Sequence, residues 1–430
     1  MALRRAPGDL TAASSTFVPV LPDLLPRRRR AGRVLIPLAV VLALLGGYTA
    51  ATQLWTLDNV TPVVEAADAA TVTAPASAID WPAEGMAAVG VDGVDTTSAS
   101  SDDVDAMASV TKLITALMVL DERPLAAGEQ GEAREIAYAD RVDYWSFLGR
   151  GESALDVPVG GTLTEYQLLQ GTLIASAGNY ADMLVRDLWP TDESFAAAAR
   201  EWLDGHALDG ITVVEPTGID RGNTSDPASL VRLGEIAMAN PVVAEIVGTR
   251  TAEIEGVGEI ENTNPLLSDD AVAGIKTGGL IGHYNLLAAQ DVAVGDTTLR
   301  VYAAVVGQPT EELRASATAD VLSQLAGEVS ASQTLAAGTV VGTATTAWGT
   351  EADVVTTADT AVLLWNGASA TAAADLALGD ARGEGDELGT VTLAGPWNSA
   401  ETTAALTGDL GEPDGWWRFT HPLELLGITG

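Results

Sequence analysis

The pattern of hydrophobic and polar positions divides the chain into three kinds of stretch. Residues 34–57 form an uncharged apolar run, long enough for the ~20-residue helix that crosses a bilayer. Residues 107–320 mix helical and strand patterns, whereas from about residue 326 short β-type runs alternate with Gly and Asp turns. The pattern predicts an α+β domain followed by a small all-β domain.

The domain boundaries follow from these hydrophobicity patterns. We predict a cytoplasmic basic arm (1–33), a transmembrane signal anchor (34–56), a linker (57–80), a mixed α/β domain (81–325) and a β-rich C-terminal domain (326–430). Arginines directly before the apolar run place the N-terminus inside and all later residues outside the cell membrane. The alternative is a signal peptide cleaved near Ala50 and Ala51, which releases a secreted form.

The amino-acid composition limits which ligands and which kinds of catalytic site are possible. The net charge is −37, and because the basic residues of the first segment offset part of it, the remainder is more acidic still. Such a surface is a poor ligand for nucleic acid or anionic lipid. The absence of cysteine excludes disulfides, thiolate nucleophiles and cysteine-bound zinc. Only two of the 22 basic residues are lysines, Lys112 and Lys276, which makes both informative.

The first lysine follows a serine in an apolar helical segment. Ser109 lies in the predicted first turn and Lys112 comes three residues later, so both share one face. A helix start offers backbone N–H groups to an oxyanion. Lysine activates serine only when neutral, and burial favours that form, whereas arginine does not deprotonate. The alternative is a capping serine with a lysine that solvates the helix end.

The second element lies between two predicted helices. Thr164 to Gln167 resembles a capping box, and the helix that it opens reaches Ser176. Ser176 is placed to relay a proton between Lys112 and a leaving group, and Asn179 to hold a substrate amide. The alternative is a Ser/Asn pair that caps the helix junction.

The third element surrounds the second lysine. The run AVAGIKTGGLIGHYNLLAAQ and the following TTLRVYAAVVG predict a strand pair at a sheet edge. Glycines beside Lys276 indicate close approach of another backbone, so a peptide substrate can add as a strand. Lys276 supplies charge, Thr277 binds a carboxylate, and the Gly279 N–H is a second oxyanion donor. The alternative is a Gly-rich hairpin with an exposed lysine.

Together, Ser-x-x-Lys, a Ser/Asn element and Lys-Thr-Gly in this order resemble the penicillin-recognising serine enzymes. The flanking runs ASVTKLITAL and EPTGID are similar to the D-alanyl-D-alanine carboxypeptidases, the low-molecular-mass penicillin-binding proteins. The resemblance covers roughly residues 80–325. It implies an α+β penicillin-binding-protein/β-lactamase-like domain, with a helical cluster and an antiparallel sheet, and the family often carries a C-terminal β domain.

The resemblance also implies roles. Ser109 would form the acyl-enzyme, Lys112 would be the general base and Ser176 would shuttle the proton. The implied substrate-binding residues are Asn179, Lys276, Thr277, Gly278, Gly279 and Arg314. The substrate would be a peptidoglycan stem peptide ending in D-Ala–D-Ala, with β-lactams as inhibitors and no metal or organic cofactor.

One position departs from the family pattern. Gly178 stands where the family's Ser-x-Asn has its asparagine, and Asn179 follows one residue late. A catalytically weak or inactive wall-binding protein on the same fold therefore stays open. So does a β-lactamase or transpeptidase, although Glu215 lacks the Glu-x-x-x-Asn spacing of common serine β-lactamases.

Overall fold

A computed structural model describes residues 32–428. The predicted basic arm, 1–33, therefore lies almost wholly outside the described residues. The chain forms two compact units. One contains the residues up to Thr61 together with those from Glu412 onward, and the other is Pro62–Gly411.

Helices and strands are interspersed up to Val329, and strands alone follow from Ser332 to Leu406. The helices are α1 (Gly32–Leu54), α2 (Thr111–Glu122), α3 (Tyr138–Gly149), α4 (Glu165–Leu173), α5 (Gly178–Val185), α6 (Asp192–Gly205), α7 (Pro227–Ala239), α8 (Pro241–Gly248), α9 (Glu311–Val329), α10 (Gly415–Thr420) and α11 (Pro422–Leu425). Short 3-10 turns occur at Ala108–Val110 and Pro265–Ser268. The strands are β1 (Val63–Ala66), β2 (Thr71–Thr73), β3 (Met86–Val91), β4 (Ser98–Ala99), β5 (Asp105–Ala106), β6 (Ala133–Glu135), β7 (Thr162–Thr164), β8 (Ile211–Thr212), β9 (Thr224–Ser225), β10 (Thr251–Ile254), β11 (Gly258–Glu261), β12 (Val272–Leu280), β13 (His283–Val294), β14 (Thr297–Gln308), β15 (Ser332–Leu335), β16 (Val340–Thr345), β17 (Glu351–Thr356), β18 (Thr360–Leu363), β19 (Ser369–Leu376), β20 (Glu387–Ala394) and β21 (Ser399–Leu406).

The first unit is built on α1. Its segment Val34–Leu54, with a mean hydropathy of 2.2, is the one helix among residues 32–428 that is long and apolar enough to cross a membrane. Helix α10 packs on the C-terminal end of α1. The Tyr48 hydroxyl donates to the Phe419 carbonyl (2.7 Å), and Gln53 Nε2 donates to the Gly415 carbonyl (2.8 Å). Residues 415–425 thus form two short helices in the unit of α1, unlike the predicted all-β end.

The second unit contains a five-stranded antiparallel sheet of order β12-β13-β14-β3-β4. The predicted strand pair at a sheet edge is confirmed, with β12 at that edge. Side chains alternate between two cores. Leu287 and Ala289 face a cluster of helices, whereas Leu286 and Ala288 face α9. The sheet therefore lies between helices on both faces.

Helix α2 runs through the core on the helical side of this sheet. Every residue from Thr111 to Leu120 is buried. Such a helix has no solvent face, which agrees with its apolar sequence. Next to it, the capping box predicted at the start of α4 is confirmed, since the Thr164 side chain accepts from the Gln167 N–H.

A seven-stranded sheet, of order β1-β16-β17-β21-β20-β19-β2, forms the C-terminal part of this unit. Both edge strands, β1 and β2, come from residues 57–80, where the sequence predicted a linker. The valines and threonines of this stretch suit a strand, and pairing covers sheet edges that otherwise stay open. The segment is therefore part of the β sheet and not a free tether.

The five-stranded sheet and the C-terminal strands share a core. Leu363 and Trp365 cluster with Val321 and Leu325 of α9. The Trp365 indole N–H also donates to the Glu328 carboxylate (2.7 Å). Residues 81–325 and the strands after them thus pack within one compact unit, Pro62–Gly411.

Gly171 in α4 provides a test of the packing between α4 and α5. An added Cβ would lie 2.3 Å from the Tyr180 ring, so Gly171→Ala should lower the free energy of unfolding by about 1–3 kcal/mol. Gly327 in α9 has no atom near its Cβ position, so Gly327→Ala should be neutral or stabilising. Denaturant unfolding of both variants measures the difference, and equal stability would contradict the close packing at Gly171.

Candidate active site

Ser109 lies in a 3-10 turn that two glycines approach closely. A Cβ on Gly218, where φ is +81°, would lie 2.0 Å from the Ala108 carbonyl oxygen. A Cβ on Gly278 would lie 2.6 Å from the Met107 carbonyl oxygen. Only glycine allows backbones to come this near. The loop of Gly218 and strand β12 are therefore packed directly against the serine turn.

Lys112 lies one helical turn beyond Ser109. Its Nζ is 2.9 Å from Ser109 Oγ and 2.5 Å from the Thr217 carbonyl oxygen, and the side chain is 3 % exposed. Burial lowers the pKa of Lys112 to about 8, and the carboxylates of Glu215 and Glu152 oppose that shift. A neutral amine next to the hydroxyl is thus accessible near neutral pH, as a general base requires.

The loop that contacts Lys112 is held by Glu215. This buried carboxylate accepts hydrogen bonds from the Thr217 N–H (2.7 Å), the Gly218 N–H (2.6 Å) and Asn223 Nδ2 (2.5 Å). Bonds from several N–H groups stabilise a buried carboxylate and fix the loop. From the sequence, Glu215 was only a family landmark. Its arrangement depends on contacts over eight residues, which the short helix and strand patterns do not contain.

Lys276 and Thr277 lie on β12. Lys276 is 1 % exposed, with Nζ 3.2 Å from the Thr277 carbonyl oxygen. Burial, aided by the charges of Lys112 and Arg314, holds the pKa of Lys276 well below its usual range. This direction disfavours, in the free protein, the positive charge that Lys276 was expected to supply. Thr277 Oγ1 lies 2.6 Å from Thr263 Oγ1, a partner that no sequence pattern indicated.

The junction between α4 and α5 carries Ser176 and Asn179, the Ser/Asn element of the sequence analysis. Ser176 is buried, lines the same cavity as Ser109 and has φ of 59°, in the left-handed region that non-glycine residues seldom adopt. Asn179 does not line the cavity. Its amide bonds both the N–H (3.1 Å) and the carbonyl (2.8 Å) of Leu155. Among the predicted residues, Ser176 therefore joins the site and Asn179 supports its wall.

Arg314 enters the site from α9. Its side chain is 6 % exposed, its Nη1 is 3.4 Å from the Gly278 carbonyl oxygen, and Glu311 lies 3.9 Å away. Within the described residues its Nε is buried without a hydrogen-bond partner. An unpaired buried donor is costly, and the Arg314 side chain also lines the cavity of Ser109.

These residues share a cavity of about 500 Å³. Its wall contains Ser109, Ser176, Thr277, Gly278, Gly279 and Arg314 from the predicted set, and Arg150, Ser153, Ile219, Arg221, Thr263 and Tyr284 among those not predicted. Lys112 and Lys276 lie behind this wall, buried. Across the part of the chain that the structure describes, no cluster of three His, Asp or Glu residues is placed to hold a metal ion.

A serine hydroxyl beside a buried lysine amine, at a cavity on an α+β fold, is an arrangement that suits serine acyl transfer. Comparison with known proteins agrees. A family model described as D-alanyl-D-alanine carboxypeptidase matches residues 94–310, just over half of the chain. The chain belongs to this family of serine carboxypeptidases, which are hydrolases.

The chain is also similar to solved structures. Penicillin binding protein 5 from Haemophilus influenzae is 17 % identical, with a TM-score of 0.51, and the match covers 77 % of this chain and all of that one. The Streptomyces K15 DD-transpeptidase is 24 % identical, with a TM-score of 0.49 and coverage of 57 % and 98 %. No curated protein sequence matches. The first likeness confirms the penicillin-binding-protein fold expected from the sequence.

Asn179 allows a direct test of whether it supports the wall or binds substrate. In Asn179→Ala the N–H and carbonyl of Leu155 lose their partners, so the free energy of unfolding should fall by about 1–3 kcal/mol. Denaturant unfolding and steady-state kinetics on one preparation measure this. A raised KM with unchanged stability would contradict the structural role and favour direct substrate contact.

Proposed function

We propose that the chain is a membrane-anchored D-Ala–D-Ala carboxypeptidase that acts on peptidoglycan stem peptides through an acyl-enzyme at Ser109. The observation that carries this proposal is the 2.9 Å contact between Ser109 Oγ and the buried Lys112 Nζ. Family membership supports the reaction class, and the cavity provides anion-binding groups for a peptide C-terminus.

Acylation begins with attack of Ser109 Oγ on the carbonyl carbon of the penultimate D-alanine, and the hydroxyl proton passes to Lys112 Nζ. The N–H groups of Ser109 and Gly279 stabilise the resulting oxyanion. The carbon–nitrogen bond then breaks, and the departing amine receives a proton through Ser176. D-alanine leaves, and the serine ester remains.

Deacylation reverses these roles with water. Lys112 takes a proton from the water, whose oxygen attacks the ester carbonyl, and Ser109 Oγ recovers a proton as it departs. Thr277, Gly278 and Arg314 bind the terminal carboxylate of the substrate. That anion favours the protonated form of Lys276 in the complex, since an opposite charge offsets burial.

Three alternatives remain distinct from this proposal. A β-lactamase needs a base for its deacylating water, and the Glu215 carboxylate is instead engaged by Thr217, Gly218 and Asn223. A transpeptidase would pass the acyl group to an amine acceptor. A weak or inactive protein is favoured by the engagement of Asn179 with Leu155. Release of D-alanine from a pentapeptide, with and without an amine acceptor, separates the carboxypeptidase from the transpeptidase and the inactive protein, and turnover of a chromogenic cephalosporin identifies a β-lactamase.

The membrane anchor is also proposed to stay on the mature protein, with all residues after it outside the cell membrane. Cleavage near Ala50 and Ala51 would remove Tyr48, which bonds the carbonyl of Phe419. It would also remove most of α1, on which the last helices pack. These contacts support an uncleaved anchor over a secreted form.

The acyl-enzyme is tested by intact mass after incubation with a penicillin. The wild-type chain should gain one β-lactam, and peptide mapping should place it on Ser109. Ser109→Ala should gain none, whereas Ser153→Ala, another cavity serine, should still react. An unmodified wild type, or an adduct that survives Ser109→Ala, would refute the proposal.

Acylation should also depend on pH through Lys112. The active base is the neutral amine, so the second-order acylation rate should rise with pH around a midpoint near 8 and fall about tenfold per unit below it. Stopped-flow acylation between pH 5.5 and 9.5 measures this. Lys112→Arg should abolish acylation and Lys276→Arg should retain part of it; equal loss in both would refute separate tasks for the two lysines.

A further inference from the structure

Three arginines line the active-site cavity. They are Arg150, Arg221 and Arg314, and Glu311 is the one acidic residue among the described lining residues. This is the reverse of the whole chain, in which 59 acidic residues outnumber 22 basic ones. Arg314 is assigned to the terminal carboxylate of the substrate. Arg150 and Arg221 have no task in the mechanism above.

Arg150 lies over the same aromatic ring that packs against Gly178. A Cβ on Gly178 would lie 2.7 Å from the Phe147 ring, so the ring occupies the space that a side chain there would need. The Arg150 guanidinium lies over this ring, 4.5 Å from its centroid. Stacking on an aromatic face fixes the guanidinium beside the cavity. The wall next to Ser176 thus carries an arginine and no side chain from residue 178.

Both guanidinium groups have donors to spare. Arg150 uses two of its five N–H donors, one to Glu152 and one to Ser146 Oγ (2.8 Å). Across residues 32–428 the structure gives the Arg221 guanidinium no hydrogen bond or ion pair, and this side chain is exposed at the cavity. The planar fork of arginine matches the two oxygens of a carboxylate.

Several acidic residues line a neighbouring surface pocket, which Arg150 also lines. They are Asp143, Glu152, Asp182, Asp192, Glu215 and Asp220, and Glu152 forms an ion pair with Arg150. On the active-site cavity, by contrast, three arginines share the wall with Glu311, which lies near Arg314. The charge of the cavity wall therefore favours an anion more than that of the neighbouring pocket, and within the described residues Arg221 is the arginine there without an ion pair.

We propose that Arg150 and Arg221 form a second anion-binding subsite, which takes a free carboxylate on the residue that precedes the two D-alanines of the substrate. This inference rests on the proposed function. When Thr277 and Arg314 hold the terminal carboxylate, the preceding residues of the peptide occupy the rest of the cavity, where these two arginines lie. The enzyme then selects acidic stem peptides over neutral ones.

Two peptides test this selectivity. Both end in D-Ala–D-Ala, and they differ only in the side chain of the preceding residue, which bears a carboxylate in one and the isosteric carboxamide in the other. The full-length wild type should show kcat/KM about tenfold higher for the carboxylate peptide, mainly through KM. Equal values would overturn the subsite but leave the carboxypeptidase intact. Release from neither peptide would overturn the proposed function itself.

Substitutions assign the effect to the two arginines. Arg150→Gln and Arg221→Gln should each reduce the preference, and the double variant should bring the ratio of kcat/KM values towards one. Arg232→Gln removes an exposed arginine that does not line the cavity, and it should keep the wild-type ratio. A preference that persists in the double variant, or that Arg232→Gln lowers equally, would overturn the assignment. Thermal unfolding of each variant checks that the fold is retained.

Discussion

The site depends on one buried lysine. Lys112 sits inside an apolar helix, and its Nζ joins Ser109 Oγ to the carbonyl of Thr217. A charged amine at such depth is expensive, so its pKa falls to about 8 and the neutral form becomes available. The same burial that makes a charged lysine costly favours the neutral amine that the proposed base requires.

Close backbone packing makes this arrangement possible. Gly218 and Gly278 bring a loop and an edge strand against the turn that carries Ser109. The Gly218 loop is fixed because its N–H groups donate to the Glu215 carboxylate. Strand β12 is fixed because β13 pairs with it along its length. The residues proposed as nucleophile, base and carboxylate-binding strand are thus held by paired and packed elements, as catalysis by positioning requires.

The departure at Gly178 changes the wall and leaves the centre intact. Phe147 fills the space beside this glycine, Arg150 stacks on Phe147, and Asn179 is bound to Leu155. The serine of this element, Ser176, still faces the cavity. The wall beside residue 178 thus carries a guanidinium and no amide side chain from that residue, and Lys112 remains in contact with Ser109.

Local chemistry determined much of this protein from sequence alone. The spacing of Ser109 and Lys112 puts both on one helix face, the capping box opens α4, and the glycines of β12 indicate an edge strand. Each of these depends on residues a few positions apart. Family membership followed from the order of the motifs, and the family match agrees.

Only the tertiary structure decided the features that join distant segments. The stretch before residue 80 forms the edge strands β1 and β2 because the C-terminal sheet has unpaired edges there. Near the C-terminus, α10 forms and packs on α1. Asn179 hydrogen-bonds to Leu155, and Arg150 stacks on Phe147 beside the cavity. No short pattern records which long-range partner a polar side chain will take, because that choice depends on which surfaces folding brings together.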